Sequence, residues 1–420
     1  MEPEGWARSL GAHHAPNGRH EGGWLSAGEI MYRQDRIGQL QRRMKDEGLG
    51  CALLFYSRDI LYYTGTAQPA YLLVLQDEYF LFIRSGIDFA VKDVFISTEH
   101  IKEERKLETV YAKICSGLEN RKIGTELDVL PAKQYFGYTK IFDGWEFSDV
   151  SPMVLEQRMS KDLYEIEQIR SACKANHAGH MAVLSTLREG ITELKLAAAV
   201  ENAHRLAGHE GAFFMRLPDF FMSRGPVGSG PNLKKFSGIV YSVTGTGLSP
   251  SVPAGPSMRK VKTGDMVVVD IPTLVNGYHA DQTRTYFLGR CGAKLRDRYE
   301  RLKEIHESVI ESIRPGMSGN DIYRTAAQKA EKLKVAEAFL SFGNGKRSHM
   351  IGHGLGLEIS EPPIIAAGSR SRIMENCVLG IEMHLLDDDA GAMKLEDTVL
   401  VGRHKNEILT VSSRELCNIS

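Results

Sequence analysis

The stretch that most constrains the fold is MVVVDIPTLVNGYHADQTRTYFLG, which begins at Met266. Two runs rich in β-branched and aromatic residues flank the dipeptide Asn276-Gly277, which is typical of two-residue hairpin turns. A turn at this dipeptide pairs Val275 with Tyr278 and fixes the register of both runs. The sequence therefore predicts a β-hairpin whose side chains alternate between two faces.

This hairpin carries two aspartates on one face. Its register places Asp270 opposite Thr283, with Asp281 as a diagonal neighbour about 7–8 Å away, and His279 falls on the same face. One interpretation is a pair of solvated aspartates on an edge hairpin. Asp270, however, ends a run of valines typical of a buried strand, and a buried carboxylate is usually neutralised by a cation.

A second hairpin repeats this arrangement closer to the C-terminus. The segments NCVLGIEMHLL and AGAMKLEDTVLV flank the loop DDDAG. Glu382 and Glu396 each lie in an apolar strand, and strand pairing can bring them together. The three consecutive acids of the loop are most simply interpreted as a solvated turn; they are Asp387, Asp388 and Asp389.

Together the candidates are two aspartates, two glutamates and at least one histidine. Four ionised carboxylates in one site repel each other, and two divalent cations would cancel that charge. Oxygen-rich ligation with one imidazole suits Mn, Fe, Co or Zn. Two-metal sites of this type hold the ions about 3.5–4 Å apart and share a bridging hydroxide as the nucleophile.

The ordered set of candidate ligands resembles that of the pita-bread metallopeptidases, which include aminopeptidase P, prolidase and methionine aminopeptidase. The matching segments are DIPTLVNGYHADQTRT, GHGLGLE, GIEM and KLED. The ligand set in order is Asp270, Asp281, His353, Glu382 and Glu396. The earlier segment LFYSRDILYYTGT resembles the small creatinase-type domain, so the resemblance spans roughly residues 30–410.

The resemblance implies a role for each of these residues. Asp270 would chelate one metal ion, His353 would bind the other, and Asp281 and Glu396 would bridge both. Glu382 would be a metal ligand and would also act in proton transfer. His349 would contact the substrate as an outer active-site histidine and is counted among the catalytic candidates.

Several positions depart from the pattern of the peptidases in this family. Pro253 or a neighbour stands where a histidine is usual, in the run SVPAGPS, and Ser360 replaces a second histidine that stabilises the tetrahedral intermediate. Pro272 replaces a glycine, and Glu382 is followed by Met383-His384 rather than Pro-Gly. One such donor is worth roughly 2.7–4 kcal/mol of transition-state stabilisation. Standard Xaa-Pro cleavage is therefore not expected.

Three further residues could compensate for these losses. His279 and His384 could each supply a donor or base, with His279 as a substrate contact, or could be supporting histidines outside the reaction. Lys394 stands where the family often has arginine and could hold a substrate carboxylate or balance the acids. The stretch RLPDFFMSRGPVGSGPN, from Arg216, is expected to form a wall or lid of the pocket.

The predicted function is a dinuclear metal-dependent hydrolase acting on a small peptide-like, amide or C–N substrate through the bridging hydroxide. One alternative is a non-hydrolytic lyase on the same scaffold, similar to dimethylsulfoniopropionate lyase. The other is a binding module that has lost catalysis. The substrate, the choice between hydrolysis and elimination, and the identity of the metal stay open.

The predicted fold class is α/β (α+β), since amphipathic helices alternate with short apolar strands. The domains are a flexible tail (1–28), a creatinase-like N-terminal domain (29–155) and a pita-bread catalytic domain (160–410). A net charge of −1 gives no field for nucleic acid. Six scattered cysteines without a C-x-x-C pair, no h-region and no long apolar run predict a cytoplasmic protein without membrane contact. The resemblance also implies a homodimer.

Overall fold

The computed structural model describes residues 27–217, 224–237 and 242–419, and side chains from residue 35 onward. The predicted tail therefore lies almost wholly outside the described residues. Residues 51–417 include all six cysteines, and each is a free thiol. Among the described helices, none combines the length and apolar character that crossing a bilayer requires.

The N-terminal part alternates helices and strands as the sequence predicts. Its elements are α1 (Ala27–Asp46), β1 (Cys51–Leu54), α2 (Ser57–Thr64), β2 (Ala70–Leu75), β3 (Tyr79–Ile83), α3 (Ile87–Asp93), β4 (Ile101–Glu103), α4 (Leu107–Lys113), β5 (Lys122–Thr125), α5 (Ala132–Ile141), β6 (Glu146–Asp149) and α6 (Ser151–Met159). The strands form one sheet in the order β4-β3-β2-β1-β5-β6.

Both faces of this sheet are buried, which explains why β1 is apolar throughout. Ala52 and Leu54 pack on the side of α1 and α6, whereas Cys51 and Leu53 pack on the side of α4 and α5. Because successive side chains of a strand point to opposite faces, a sheet covered on both sides requires an uninterrupted apolar run.

The C-terminal part is larger and its sheet is mostly antiparallel. Its elements are α7 (Leu163–Thr186), α8 (Glu193–Leu206), β7 (Val227–Ser229), β8 (Met266–Asp270), β9 (Thr273–Val275), β10 (Tyr278–Ala280), β11 (Thr283–Leu288), α9 (Ala293–Ser312), α10 (Gly319–Lys332), β12 (Ser341–Gly343), β13 (Lys346–Arg347), β14 (Met350–Gly354), β15 (Glu361–Ala366), β16 (Val378–Asp387), β17 (Gly391–Leu400), β18 (Glu407–Ile408) and β19 (Cys417–Ile419). The main sheet has the order β15-β14-β16-β17-β11-β8-β7.

Helices cover this sheet on both faces as well. Met266 and Val268 of β8 contact the core around α9 and α10, while Val267 and Val269 contact the core around α7 and α8. Helix α7 begins at a capping box in which Asp162 and Glu165 satisfy each other's backbone N–H groups. The run of valines before Asp270 is thus buried on both sides, as the sequence predicts.

The registers of both predicted hairpins are confirmed. Val275 pairs with Tyr278, and Asp270 lies opposite Thr283. Glu382 lies opposite Glu396 in the pairing of β16 with β17. The prediction of a solvated turn between these strands was wrong for Asp387, which is buried and accepts hydrogen bonds from two backbone N–H groups of the turn.

A buried ionic network joins the two parts of the chain. Arg158 of α6 pairs with Asp59 of α2 at 2.7 Å and with Glu358 at 3.0 Å, and it also pairs with Glu361 at the start of β15. Tyr56 donates a hydrogen bond of 2.8 Å to Glu358. The N-terminal part is therefore fastened next to the strands that carry the candidate ligands.

Candidate metal centre

A cavity of about 630 Å³ opens over the carboxylate-bearing strands. Most of its wall is apolar, with side chains such as Phe342, Met350 and Ile364. The ionisable groups on the wall combine acids, histidines and cations; they are Asp270, Asp281, Glu382, His349, His353, Lys394 and Arg347. The two predicted hairpins and the Gly-His-Gly segment therefore meet at one place.

Three of the predicted ligands form a compact cluster. Asp281, His353 and Glu396 are all buried, and each offers one ligand atom within 4.8 Å of the others. The three residues come from the connection before β11, from β14 and from β17. Carboxylate oxygens and an imidazole nitrogen at this spacing can coordinate one divalent cation.

His353 is held in the tautomer that a metal ligand needs. Its Nδ1–H donates to the Gly354 carbonyl over 3.0 Å, which leaves the lone pair of Nε2 facing the cavity, 3.9 Å from Glu382 Oε1. Such a backbone partner is the usual device for orienting a metal-binding histidine. Gly380 leaves room for the cluster, because a Cβ there would lie 3.2 Å from Glu396 Oε1 and from the His353 ring.

The other two predicted ligands are bound by a lysine. Lys394 Nζ lies 2.6 Å from Asp270 Oδ2 and 2.7 Å from Glu382 Oε2, with Glu396 Oε2 at 3.3 Å. Of the two predicted roles for Lys394, the geometry thus favours balancing the acids. Its ammonium is already engaged by protein carboxylates, and contact with a substrate carboxylate stays a prediction.

Burial and mutual repulsion perturb the acids of the centre. Burial, with Glu396 and Asp270 nearby, raises the pKa of Asp281 well above its usual range. Burial also raises the pKa of Glu396 to about 8, even though Lys394 acts in the opposite direction. For Glu382, burial is outweighed by Lys394 and His353, so its pKa is lowered. These acids share an excess of negative charge that a divalent cation would relieve.

The residues after Asp281 support the ligands. Thr283 donates a hydrogen bond of 2.8 Å to Glu396 Oε2. The buried Arg284 pairs with Asp397 at 2.6 Å and donates to the backbone carbonyls of Thr283 and Glu396. The Thr285 hydroxyl donates a hydrogen bond to the Lys394 carbonyl and accepts one from the Lys394 N–H. The Thr-Arg-Thr sequence therefore fixes β17, which carries Glu396 and Lys394.

His349 and Ser360 both line the cavity. His349 is exposed to solvent. Ser360 presents a short hydroxyl side chain to the cavity, which cannot act as a cationic donor.

The expectations for His279 and His384 are corrected by their contacts. His279 is fully buried; its Nδ1–H donates to the Gly356 carbonyl over 3.0 Å, and its Nε2 accepts from the Phe214 N–H. His384 Nε2 donates to the Ser341 carbonyl over 3.0 Å, while its ring stacks on Phe342. Neither histidine is among the residues that line the cavity; His384 packs against the lining residue Phe342, and both ring nitrogens of His279 are engaged by backbone groups.

Two arginines near the cavity have contacts that the sequence pattern does not predict. Arg347 of β13 is exposed and lines the mouth of the cavity. Arg216 pairs with Asp59 at 2.7 Å and Asp128 at 2.5 Å, and so fastens the neighbouring wall residue Met215 to the N-terminal part. The predicted wall stretch from Arg216 also supplies Pro226 to the lining, whereas its residues 218–223 lie outside the described residues.

Comparison with known proteins agrees with this geometry. Residues 167–403 match the family described as metallopeptidase family M24, and residues 36–160 match the creatinase/prolidase N-terminal domain. The Xaa-Pro dipeptidase of Pyrococcus furiosus is 26% identical over 391 residues, which cover 91% of this chain and 99% of that protein. A probable dipeptidase, PepE, of Mycobacterium tuberculosis is 31% identical over 245 residues, covering 58% of this chain and 56% of that protein.

Solved structures show the same fold. The Xaa-Pro dipeptidase from Bacillus anthracis superposes with a TM-score of 0.78 at 23% identity, covering 92% of this chain and all of that one. The N-terminal domain of the FACT complex subunit SPT16 from chickpea superposes with a TM-score of 0.68 at 14% identity, covering 93% of this chain and 99% of that one.

The chain combines a creatinase-type domain with a mixed-sheet domain that carries buried carboxylates and a histidine beside a cavity. This combination defines a metallohydrolase. The chain belongs to metallopeptidase family M24, which confirms the predicted pita-bread fold and N-terminal domain. The predicted domain boundaries stay predictions. Peptidases of this family use two divalent metal ions.

An unpaired carboxylate oxygen indicates that these residues can hold a metal ion. Among the described residues, the buried Glu396 Oε1 has no hydrogen-bond partner, and it belongs to the cluster with Asp281 and the free nitrogen of His353. An unsatisfied buried carboxylate oxygen is costly unless a cation binds it.

Proposed function

We propose that this protein hydrolyses the amide bond of a short peptide or a related small molecule in a metal-dependent reaction. The observation that carries the proposal is the buried cluster of Asp281, His353 and Glu396 beside a mostly apolar cavity, whose wall includes Asp281 and His353. A divalent metal ion bound there would supply Lewis acidity and lower the pKa of a bound water molecule. Asp281, His353 and Glu396 would hold it.

The protein's own groups would then position the substrate and move protons. Glu382 lines the cavity, and its lowered pKa keeps it ionised, ready to accept a proton from the attacking water. His349, on the same wall, would donate a hydrogen bond to the substrate. The apolar side chains exclude bulk water, which strengthens each of these electrostatic contacts.

The cavity supports a substrate with an apolar body and a free carboxylate. Its lining is mainly aliphatic and aromatic, and the exposed Arg347 stands at its mouth. The names of the relatives, which include Xaa-Pro dipeptidases, support a peptide substrate. Ser360, in place of a polarising histidine, supports weak activity on ordinary Xaa-Pro dipeptides and a preference for another amide.

A panel of short peptides tests the proposal. Purified protein loaded with Mn²⁺ is offered Xaa-Pro dipeptides, other dipeptides and their C-terminal amides, beside the Glu382→Ala variant. We expect hydrolysis of at least one non-prolyl member at a higher kcat/KM than any Xaa-Pro member, and none by Glu382→Ala. A preference for Xaa-Pro dipeptides would overturn the specificity, and activity that survives metal removal would overturn the metal-dependent mechanism.

Two other functions stay predictions, because no described contact favours them. They are a non-hydrolytic metal-dependent lyase and a binding module without catalysis. Release of product without uptake of water would indicate the lyase. A homodimer, a cytoplasmic location and the identity of the metal as Mn, Fe, Co or Zn likewise stay predictions.

A further inference from the structure

The Lys394 ammonium is satisfied by three carboxylates of the centre. Its Nζ is 2.6 Å from Asp270, 2.7 Å from Glu382 and 3.3 Å from Glu396, and its side chain is only 3% exposed. A lysine ammonium has three N–H donors, so these oxygens can accept all of them.

The backbone fixes this arrangement. Lys394 and Glu396 lie two residues apart on β17 and therefore point to the same face. The Lys394 N–H donates to the Thr285 hydroxyl over 3.0 Å, and that hydroxyl donates to the Lys394 carbonyl over 2.7 Å. With its backbone clamped to β11, Lys394 keeps its side chain directed at the acids.

A metal ion and an ammonium compete for the same oxygen atoms. A bound ion needs carboxylate oxygens at about 2.0–2.2 Å, and at Asp270 and Glu382 one oxygen of each already accepts from Lys394. Among the described residues, Lys394 forms no ion pair with Asp281, and Glu396 Oε1 stays without a partner. The competition thus acts at the shortest contacts on Asp270 and Glu382, whereas Glu396 is contacted more distantly and only through Oε2.

Charge alone does not decide the number of ions. Asp270, Asp281, Glu382 and Glu396, if ionised, sum to −4, and Lys394 brings the total to −3. One divalent ion leaves −1, and two leave +1. The positions of the oxygens therefore decide the number, and they favour one ion.

We propose that the Lys394 ammonium stands in for the second metal ion, so that the centre binds one divalent ion tightly, at Asp281, His353 and Glu396. Asp270 and Glu382 are then held by Lys394 and are not essential ligands of that ion. This inference rests on the proposed metal-dependent function and adds the number of ions and the partner of each carboxylate.

Metal counting in ligand variants tests the inference without any assay of activity. Wild-type, Asp270→Asn and Asp281→Asn proteins are dialysed with Mn²⁺, analysed for bound metal and titrated calorimetrically. We expect one tight equivalent in the wild type and in Asp270→Asn, and none in Asp281→Asn. The electron paramagnetic resonance spectrum of the wild type should show an isolated Mn²⁺ ion without exchange coupling.

Removal of the Lys394 ammonium provides the second part of the metal-binding test. Lys394→Met should bind a second equivalent of Mn²⁺ about tenfold more tightly or better than the wild type. The matched control is Lys161→Met, because Lys161 is an equally buried ammonium paired with Glu361 at 2.7 Å outside the cavity. That control should keep the wild-type count.

The outcomes separate the two proposals. Two tight equivalents in the wild type, or loss of the tight ion in Asp270→Asn, overturn the single-ion inference and leave the proposed hydrolase standing. A wild-type protein that binds no ion overturns both. Because the wild-type count and the Asp270→Asn count need no lysine variant, the test holds even if Lys394→Met does not fold.

Discussion

The hydroxyl of Thr283 donates to Glu396 Oε2 over 2.8 Å, so a candidate ligand of the centre is oriented by the residue that also faces Asp270 across β8 and β11. Both side chains are buried. Because Oε1 of the same carboxylate has no hydrogen-bond partner among the described residues, this hydrogen bond sets the direction in which Glu396 presents its free oxygen.

Thr283→Val keeps the shape of the side chain and removes this hydrogen bond. We expect a loss of about 1–2 kcal/mol in the free energy of unfolding and an affinity for Mn²⁺ lower by about 10–100-fold. Denaturant titration and calorimetry measure the two effects. Thr273→Val is the matched control, because the buried Thr273 hydroxyl donates to the Ala172 carbonyl of α7 instead. It should show the stability loss alone; an equal loss of metal affinity in both variants would refute the orienting role.

Arg347 offers a test of substrate recognition at the mouth of the cavity. Arg347→Ala should raise KM for peptides with a free C-terminal carboxylate by about tenfold, since a lost charge-assisted hydrogen bond costs about 1.5–3 kcal/mol and solvent screens part of it. The kcat should stay unchanged, because the contact is equal in ground and transition states. The neighbouring Lys346 is exposed and does not line the cavity, so Lys346→Ala should have the wild-type KM. A similar rise for C-terminal amides would contradict recognition of the carboxylate.

The buried pair of Arg284 and Asp397 should dominate the stability of this region. Arg284 donates to Asp397, to Ser412 and Ser413 carbonyls and to two further carbonyls. Arg284→Met would leave Asp397 as an uncompensated buried charge, at a cost of about 3–5 kcal/mol. Urea denaturation gives the change. The double variant Arg284→Met/Asp397→Leu should recover part of the loss, and no recovery would show that the carbonyl contacts matter more than the charge.

Much of the centre could be predicted because hairpin turns fix register. Asn276-Gly277 determined the pairing of Asp270 with Thr283, and the two apolar strands around the acidic loop placed Glu382 beside Glu396. Successive side chains of a strand alternate between the two faces of the sheet, so the register alone decides which side chains share a face. The proximity of these carboxylates was therefore predictable from spacing together with the resemblance, whereas their roles as metal ligands stay predictions.

The partners of individual side chains could not be predicted in the same way. His279 shares a face with Asp281 only if the hairpin stays in one sheet, but β9 and β10 form a separate two-stranded sheet, and His279 turns to the distant Gly356 and Phe214. His384 of β16 stacks on Phe342 of β12, and three strands separate the two residues along the chain. Such contacts depend on tertiary packing, for which the local pattern carries no signal.

Mild acid should destabilise the contact between α7 and α8 through His204. This residue is buried against Gly179, where even a Cβ would lie 2.0 Å from its Nε2. Burial, with His209 nearby, lowers the pKa of His204 from 6.5 to about 4. The unfolded chain therefore binds this proton more readily than the folded one, so the contribution of His204 to stability is complete above pH 6.5 and falls as the pH drops towards 4.

At pH 5 this single histidine should lower the free energy of unfolding by about 2 kcal/mol relative to pH 7. His204→Gln removes this titration. Between pH 7 and pH 5 the unfolding free energy of the variant, measured in urea, should therefore fall by about 2 kcal/mol less than that of the wild type. His404→Gln, at an exposed position, should keep the full wild-type difference. If His204→Gln kept it too, the acid sensitivity would have to come from the other buried histidines whose pKa is lowered in the same direction, such as His180 and His306.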